Sequence, residues 1–325
     1  MFKYIVSSAI VAMTAVSLNA KQALAQDYPD RPIQLIVPYS AGGAVDFVAR
    51  TLARDLSIKL GQPVVVENRG GASGNIGSQA VARSRPDGYT ILMSSVTSTT
   101  LTSLMQETAM GFDYQNDFVP VAVVGEIPTV LVVNKDFPAQ TADELIVAAK
   151  GGAKISYAST GVGSVEHLAM ELFQQLTNTE LLHVPYDGAA PGIADVAGGH
   201  VAAMIATIPT ALSQIEGGTV RSLLVASDKR LDKLPDTPTA SEVGLEGMNV
   251  ASMYAVLAPN EVDRKTLDKL NAALTEITSD EKYRTTMAER GIEPITTSLE
   301  EASARFGGEF DKWKRVVETN NVTGK

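Results

Sequence analysis

The 325-residue sequence contains no cysteine. Disulfide bridges, thiolate metal sites, iron–sulfur clusters and a cysteine nucleophile are therefore excluded together. A chain of this length can bury a large hydrophobic core, so the missing disulfides imply no instability. Positive charge is also scarce, because 27 Lys and Arg face 37 Asp and Glu, which gives a net charge of −10. With no basic block either, the sequence argues against a nucleic-acid partner or an anionic lipid surface.

Hydrophobic residues make up 45% of the chain and charged residues 20%, with a mean hydropathy of +0.05. This composition is globular, typical neither of a disordered chain nor of a membrane bundle. At about 100–200 residues per domain, the length suits about two domains.

The first 25 residues have the pattern of a secretory signal peptide. Lys3 supplies a short positive region, Ile5 to Leu18 is apolar, and Ala23-Leu24-Ala25 matches an A-x-A cleavage site. A short transmembrane anchor is the alternative, but the apolar stretch is shorter than the roughly 20 residues that span a bilayer. We predict cleavage after Ala25 and an exported, soluble, monomeric protein that starts at Gln26.

The next part of the chain alternates strand and helix patterns. Strands are predicted at Pro32–Tyr39, Val64–Val66 and Tyr89–Ser94. A helix with one apolar face is predicted from Val45 to Leu60, with Gly61 at its C-terminal cap. This β-α-β-α-β order predicts a parallel sheet with right-handed crossovers.

The alternation restarts after a pair of short strands. Further strands are predicted at Val119–Val124, Val130–Val133, Ile155–Ala158, Leu181–Val184, Val201–Ala206, Val220–Ala226 and Val250–Leu257. The first two are predicted as separate strands, with Gly125 to Thr129 between them. Thr141-Ala142-Asp143-Glu144 and Ser298 with Glu301 are capping boxes that open helices. The polar segment from Asp228 to Pro238 is predicted to be a linker.

The remainder of the chain is predicted to be helical, without a strand of its own, and must pack on an existing domain. The chain is therefore predicted to cross to a second domain near Glu126 and to return near Gly247. Domain 1 would comprise residues 26–126 and 247–325, and domain 2 residues 127–246, with residues 1–25 as the signal peptide. The fold class is α/β.

Two glycine-containing turns, Ser40–Asp46 and Ser159–Ser164, each lie between a strand and a helix. The first N–H groups of such a helix lack intrahelical partners, and the helix dipole adds positive charge there. A phosphate or carboxylate can bind at this terminus without a cationic side chain. The alternative is that each turn only closes a tight corner. Two copies, one in each predicted domain, favour an anion site in the crevice between them.

Enzyme motifs are missing from these turns. No G-x-G-x-x-G, P-loop or G-x-S-x-G pattern occurs, and the three histidines lack zinc spacing. We therefore predict no metal, no cofactor and no catalytic residue. His167, in the first turn of the second helix, could contact a ligand or could simply be packed. Asp46 could look like a catalytic acid, but near a helix start it more often acts as a cap or dipole partner.

The order of several short motifs resembles a known family. These include the opening run from Tyr28 to Ile33, Val37-Pro38-Tyr39-Ser40-Ala41-Gly42-Gly43-Ala44-Val45-Asp46, the run from Leu60 to Arg69, Gly74-Asn75-Ile76-Gly77 and Pro86-Asp87-Gly88-Tyr89-Thr90, and later Tyr157-Ala158-Ser159-Thr160-Gly161, His183-Val184-Pro185-Tyr186 and Leu234-Pro235-Asp236-Thr237-Pro238-Thr239. Over nearly the whole mature chain the sequence resembles the Bug family, the solute receptors of tripartite tricarboxylate transporters. The resemblance implies a periplasmic two-lobed binding protein of the type II, Venus flytrap kind, with two Rossmann-like domains and a hinge. It also implies that backbone groups of the two turns, partly through ordered waters, hold a ligand carboxylate.

From the turns and this resemblance we predict a set of ligand-binding residues. They are Tyr39, Ser40, Ala41, Gly42, Gly43, Asp46, Ser95, Thr97, Thr160, Gly161, Gly163, Ser164, His167, Tyr186, Gly188, Ala189 and Thr207. The backbone of Gly42, Gly43 and Gly163 and the hydroxyls of Ser40, Thr160 and Ser164 would grip the carboxylate. For the residues outside the two turns, ordinary loop or cap roles are the alternative.

The predicted function is capture of a small carboxylate and its delivery to a membrane permease. An exported sensor that presents its closed form to a signalling partner is the alternative. An enzyme of unknown chemistry is a third hypothesis, which turnover in a substrate screen would support.

Overall fold

The computed structural model describes residues 28–105, 110–186 and 188–320. The predicted signal peptide and its cleavage site lie outside the described residues. No helix in the described ranges has the length and apolar character needed to cross a membrane.

The first strands form a parallel sheet, as predicted. The elements are β1 (Ile33–Val37), α1 (Ala44–Leu60), β2 (Val64–Asn68), α2 (Asn75–Ala82), β3 (Thr90–Ser95) and α3 (Val96–Met105). Strand β1 pairs in parallel with β2 on one side and with β3 on the other. Helix α1 ends at Gly61, whose left-handed backbone (φ 67°) confirms the predicted C-terminal cap.

Strand β4 (Phe118–Asn134) runs unbroken through the region predicted to separate two strands. The prediction of two strands is therefore wrong. Residues near Gly125 pair with β9 (Ala251–Pro259), and Thr129 onward pairs with β7 (Ala203–Thr207). Because each half has its own antiparallel partner, the intervening residues stay extended despite the glycine and proline.

The second set of strands repeats the parallel arrangement. Its elements are α4 (Ala142–Lys150), β5 (Ser156–Ser159), α5 (Val165–Thr177), β6 (Leu182–Pro185), α6 (Ala189–Ala197), β7, α7 (Ile208–Glu216) and β8 (Val220–Val225). Strand β5 pairs in parallel with β6 and β7. Within the described residues, ten strands form one sheet, whose main path is β2-β1-β3-β9-β4-β7-β5-β6.

The C-terminal part is mostly helical: α8 (Arg264–Ser279), α9 (Glu281–Glu289) and α10 (Leu299–Asn320), with a two-residue strand β10 (Glu293–Pro294). Strand β10 pairs with β4, so the tail does contribute to the sheet, which the sequence analysis missed. The reciprocal bonds between Ser298 and Glu301 confirm the capping box that opens α10.

Helix α10 packs on both sets of strands. Phe306 lies in a buried cluster with Leu92 of β3, and Trp313, which has no exposed surface, lies in a cluster with Leu131 and Phe173. Leu101 of α3 also lies in the cluster that contains Trp313. Helix α10 therefore spans the region where the chain passes from one set of strands to the other.

Candidate ligand-binding crevice

The carboxyl ends of both sets of parallel strands point at the same part of β4. The last residue of β3, Ser95, pairs with Tyr254, which in turn pairs with Gly125 of β4. The last residue of β7, Thr207, pairs with Thr129. These positions are four residue steps apart along β4, which is about 13 Å at roughly 3.3 Å per strand residue. The two carboxyl edges thus face each other, and ligands settle at such edges in open α/β sheets.

Four of the helices that begin at these facing edges lack side-chain caps, whereas α5 is capped by Ser164. No such cap is formed at the start of α1, α2, α6 or α7, whose cap residues are Gly43, Gly74, Gly188 and Thr207. By contrast, α4, α8 and α9 begin elsewhere and are capped by their own side chains, Thr141, Asp263 and Asp280. Uncapped N-termini leave backbone N–H groups free to bind an anion.

The first turn is held in shape by Asp46. Its carboxylate is 4% exposed and accepts hydrogen bonds from Gly42 N (2.8 Å), Arg50 Nε (3.0 Å) and Asn68 Nδ2 (2.9 Å). Burial opposes ionisation, but the hydrogen bonds outweigh it and hold the pKa of Asp46 below its ordinary value. Asp46 and the Gly42 amide are therefore already bonded to each other. This bond is consistent with a role for Asp46 as a cap or dipole partner. Ser40, Ala41 and Gly43 are exposed.

Three further predicted residues lie near the start of α3. The Tyr39 hydroxyl is 3.3 Å from the Thr99 hydroxyl, and burial raises the pKa of Tyr39, so it stays neutral. Ser95, almost fully buried, donates to Ser98. Thr97 has no exposed surface, and its hydroxyl lies 2.8 Å from Glu309 Oε1 of α10. Thr97 thus links α3 to α10 and offers no exposed surface in this structure.

In the second turn, two side chains of α5 hold the backbone and its hydroxyls. The Thr160 hydroxyl donates to Glu166 Oε2 (2.6 Å), and Ser164 caps the helix by accepting from His167 N (3.2 Å). The amide of Gly163 donates to His167 Nδ1 (3.0 Å). The predicted grip of a carboxylate by the Gly163 amide is therefore not available in this arrangement. Gly161, by contrast, keeps its backbone carbonyl and amide near the Ser159 hydroxyl.

His167 is a buried acceptor. Its ring is 7% exposed, and burial together with the neighbouring His183 lowers the pKa of His167 to about 4. At neutral pH it is uncharged, with Nδ1 facing the turn. Of the two alternatives for this residue, packing is the one the structure supports.

The remaining predicted residues follow β6 and β7. The Tyr186 hydroxyl donates to Asp195 Oδ2 (2.6 Å), and this hydrogen bond raises the pKa of Tyr186 to about 12. Gly188 has φ 107° and open space where a side chain would be, directly before Ala189 at the start of α6. The Thr207 hydroxyl shares a hydrogen bond with Thr210 (2.9 Å).

A cavity of about 440 Å³ lies between α3 and the second turn. It is lined by Ser98, Leu101, Thr102, Met105, Thr160, Val162, Gly163, Ser164, Val165, Glu166 and Ser252. Thr160, Gly163 and Ser164 were predicted, whereas the residues of α3, Glu166 and Ser252 were missed. The hydroxyl-rich run from Ser94 to Ser103, directly after a strand, was the available sequence signal. None of the lining residues is Lys or Arg.

The described residues hold no cluster of three or more His, Asp or Glu side chains placed to bind a metal ion. Ser159 lies 2.6 Å from His183 Nε2, the spacing of a nucleophile and its base. Ser159 is fully buried, however, so no substrate can reach its hydroxyl.

Facing carboxyl edges, with uncapped helix N-termini on both sides of one continuous strand, define the two-lobed α/β architecture of a solute-binding protein. Known proteins share this fold. A Rhodopseudomonas palustris protein solved with adipate is 33% identical, with a TM-score of 0.72 over 91% of this chain and 99% of that one. MatC from Rhodopseudomonas palustris, solved with bound malate, is 28% identical, with a TM-score of 0.69 over 89% of this chain and 100% of that one.

Sequence comparison identifies the family. Protein BugT of Bordetella pertussis is 37% identical over 294 residues, which cover 90% of each chain. Residues 48–322 match the model of the tripartite tricarboxylate transporter family receptor. The chain belongs to this family of periplasmic solute-binding receptors, and it is a receptor rather than an enzyme.

Proposed function

We propose that the protein captures a small organic anion with a carboxylate group between its two lobes and delivers it to a tripartite tricarboxylate-type transporter. The observation that carries this proposal is the set of uncapped helix N-termini at the two facing sheet edges. Relatives solved with adipate and malate support a carboxylate as ligand.

The hydrogen bonds inside the protein refine the proposed contacts. The amides of Gly42 and Gly163 shape the turns, because each already has an acceptor. We assign the carboxylate to the open amides at the start of α1, beyond Gly43, and to the exposed Ser40 hydroxyl. On the opposite edge, the amides after Gly188 at the start of α6 would serve a second polar group of the ligand.

Neutral donors would provide this recognition. Arg50, the basic residue nearest the first turn, is bonded to both Asp46 and Asn68. Loss of Lys3 and Lys21 with residues 1–25 leaves 25 basic and 37 acidic residues, a net charge of −12. The overall field would oppose an incoming anion, so the attraction must come from short-range N–H and hydroxyl groups in the crevice.

Ligand binding would close the lobes about a hinge near Glu126 and Gly247, with the domains divided as predicted from the sequence. In support, β4 crosses from one set of strands to the other at Glu126, and Gly247 has a positive φ of 86°. Arg305 of α10 is bonded to Glu126 (3.1 Å), so α10 reaches the same point.

The proposed ligand class can be tested with protein purified from the periplasm under conditions that retain bound ligand. Native mass spectrometry would identify a co-purified anion, and calorimetry would compare malate, adipate and dimethyl adipate. We expect the diacids or the co-purified anion to bind, and the uncharged diester to bind much more weakly. Equal affinity for adipate and its diester, or a co-purified ligand without an anionic group, would contradict the proposal.

Delivery is tested in cells. Deleting the gene should abolish high-affinity uptake of the bound anion, and re-expression should restore it. Unchanged uptake in the deletion strain, together with a lost transcriptional response to the anion, would instead support the sensor alternative.

A further inference from the structure

We infer that His167 and His183 are positioning residues that hold the second turn in its ligand-accepting shape, and that His167 does so only while its imidazole is neutral. The link to ligand affinity depends on the function proposed above. The hydrogen bonds that carry the inference are independent of any ligand.

His167 fixes the turn through its backbone. The amide of Gly163 donates to Nδ1 at 3.0 Å, so Nδ1 must carry a lone pair and the ring proton must sit on Nε2. Gly163 has φ 77°, a left-handed conformation that glycine adopts without steric cost, and the bond to His167 fixes its amide in this orientation. The same histidine donates its own amide to Ser164, so one residue holds both ends of the Gly163-Ser164 corner.

His183 fixes the turn through Ser159. Its Nε2 lies 2.6 Å from the Ser159 hydroxyl, which also accepts from the amide of Gly161 at 3.1 Å. Ser159 has one proton to donate, either to His183 Nε2 or to the Gly161 carbonyl oxygen at 3.2 Å, and in the second case His183 Nε2–H donates to Ser159. Either arrangement leaves the Ser159 oxygen able to accept from the Gly161 amide. The start of the turn therefore has an imidazole anchor, just as its end does.

The two anchors are one stacked pair. Their ring centroids are 4.0 Å apart with an interplanar angle of 10°. The Tyr157 ring lies beside the pair, 5.0 Å from His183 and 6.4 Å from His167. The acidic group that faces the pair is Glu171, whose Oε1 lies 3.7 Å from His167 Nε2. That oxygen also accepts from Tyr157 and Gln174.

Burial disfavours charge on either ring, and two charged rings at this separation would repel. In keeping with this, burial and His183 lower the pKa of His167 to about 4, and burial lowers the pKa of His183. The nearby Glu171 acts in the opposite sense on His183.

If His167 were protonated, Nδ1–H and the Gly163 N–H would be two donors that face each other without an acceptor. The turn would then have to change shape. Because the folded pKa lies below the ordinary value of 6.5, the unfolded chain binds more protons between these values. The contribution of neutral His167 to the free energy of unfolding is therefore complete at neutral pH and is lost as the pH falls from about 6.5 towards 4. In the folded protein the turn itself changes shape only as the pH approaches about 4.

The first test needs no ligand. In ¹⁵N-labelled protein at pH 7, ring NMR should show neutral His167 with the proton on Nε2, and acid titration should move the Gly163 amide together with that ring. A proton on Nδ1, or a ring that titrates while the Gly163 amide stays unmoved, would overturn the inference.

The second test uses a matched pair of variants. His167→Asn keeps an acceptor at the position of Nδ1, since Oδ1 is equally far along the side chain, but removes the ring. His167→Phe keeps the ring and its stacking but removes the acceptor.

With adipate as the probe at pH 7, we expect affinity about fivefold weaker in His167→Phe and close to wild type in His167→Asn. His167→Asn should also lose the acid-dependent fall in affinity that its own ring causes. Equal affinity in both variants would overturn the positioning role. If neither adipate nor the co-purified anion binds the wild type, the proposed ligand class is wrong, while the NMR result still decides the positioning role.

Discussion

Substitution of two glycines at opposite ends of α1 can distinguish an effect on ligand binding from an effect on stability. Gly43, at the N-terminal cap, has ordinary angles (φ −78°, ψ 173°), and the nearest atom to an added Cβ is the Ser40 carbonyl oxygen at 3.9 Å. Gly61, at the C-terminal cap, has open space but φ 67°. Gly43→Ala therefore places a methyl group where the ligand should approach without straining the fold. Gly61→Ala strains the fold far from the crevice.

The structure sets the magnitudes. For Gly43→Ala, the poorer cap and the reduced freedom of the unfolded chain act in opposite directions, so the free energy of unfolding should change by less than about 1 kcal/mol. Loss of one charge-assisted hydrogen bond to the carboxylate costs about 1.5–3 kcal/mol, a roughly 10- to 150-fold weaker affinity. For Gly61→Ala, the left-handed conformation costs about 1–2 kcal/mol and affinity should be unchanged.

Calorimetry with the dicarboxylate that binds the wild type measures affinity, and thermal unfolding measures stability. At about 2–4 °C per kcal/mol, Gly61→Ala should lower Tm by several degrees, and Gly43→Ala by little. Wild-type affinity in Gly43→Ala would refute the assignment of the carboxylate to the start of α1. Weakened binding in Gly61→Ala to the same extent would show that affinity follows general stability instead.

Four further outcomes are expected. Asp46→Ala should lower both stability and affinity, measured by denaturant unfolding and calorimetry, because it releases Gly42 and Asn68; unchanged affinity would mean that the turn needs no brace. Arg305→Ala should destabilise the protein more than Arg54→Ala. Arg305 pairs with Glu126, whose pKa is raised by burial, whereas Arg54 pairs with Asp55 at the exposed surface. Equal unfolding midpoints for the two variants would contradict this. Affinity should change little between low and high salt, since no ion pairing at long range drives it; a large loss would contradict recognition by neutral donors. Intact mass of the exported protein should correspond to a chain that starts at Gln26, and light scattering should show a monomer; a retained leader or a stable dimer would refute the respective part.

Local patterns were sufficient to predict most of the elements. The period of apolar residues located α1, and Gly61 marked its end, because both depend on residues close together in the chain. The capping box at Ser298 was predicted for the same reason. Strand β4 was mispredicted, because its middle residues are held extended by partners more than a hundred positions away, such as Tyr254.

Whether each predicted group is free to bind a ligand also depended on residues far away in the chain. The i, i+4 spacing of Asp46 and Arg50 was visible in the sequence, but the bond from Asn68 was not. Thr97 looked like a loop residue at a strand end, yet contacts with Ala251 and Glu309 bury it.

The α/β alternation, the positions of both glycine turns and the family could all be predicted from the amino-acid sequence. These follow from side-chain period, turn chemistry and motif order, which act over a few residues. Tertiary structure decided which donors stay open to a ligand. An amide is free only if no other group reaches it, and the groups that reach the second turn include His183, which lies 24 positions beyond Ser159. Hydrogen-bond competition between segments distant in the chain is settled only when the fold brings them together.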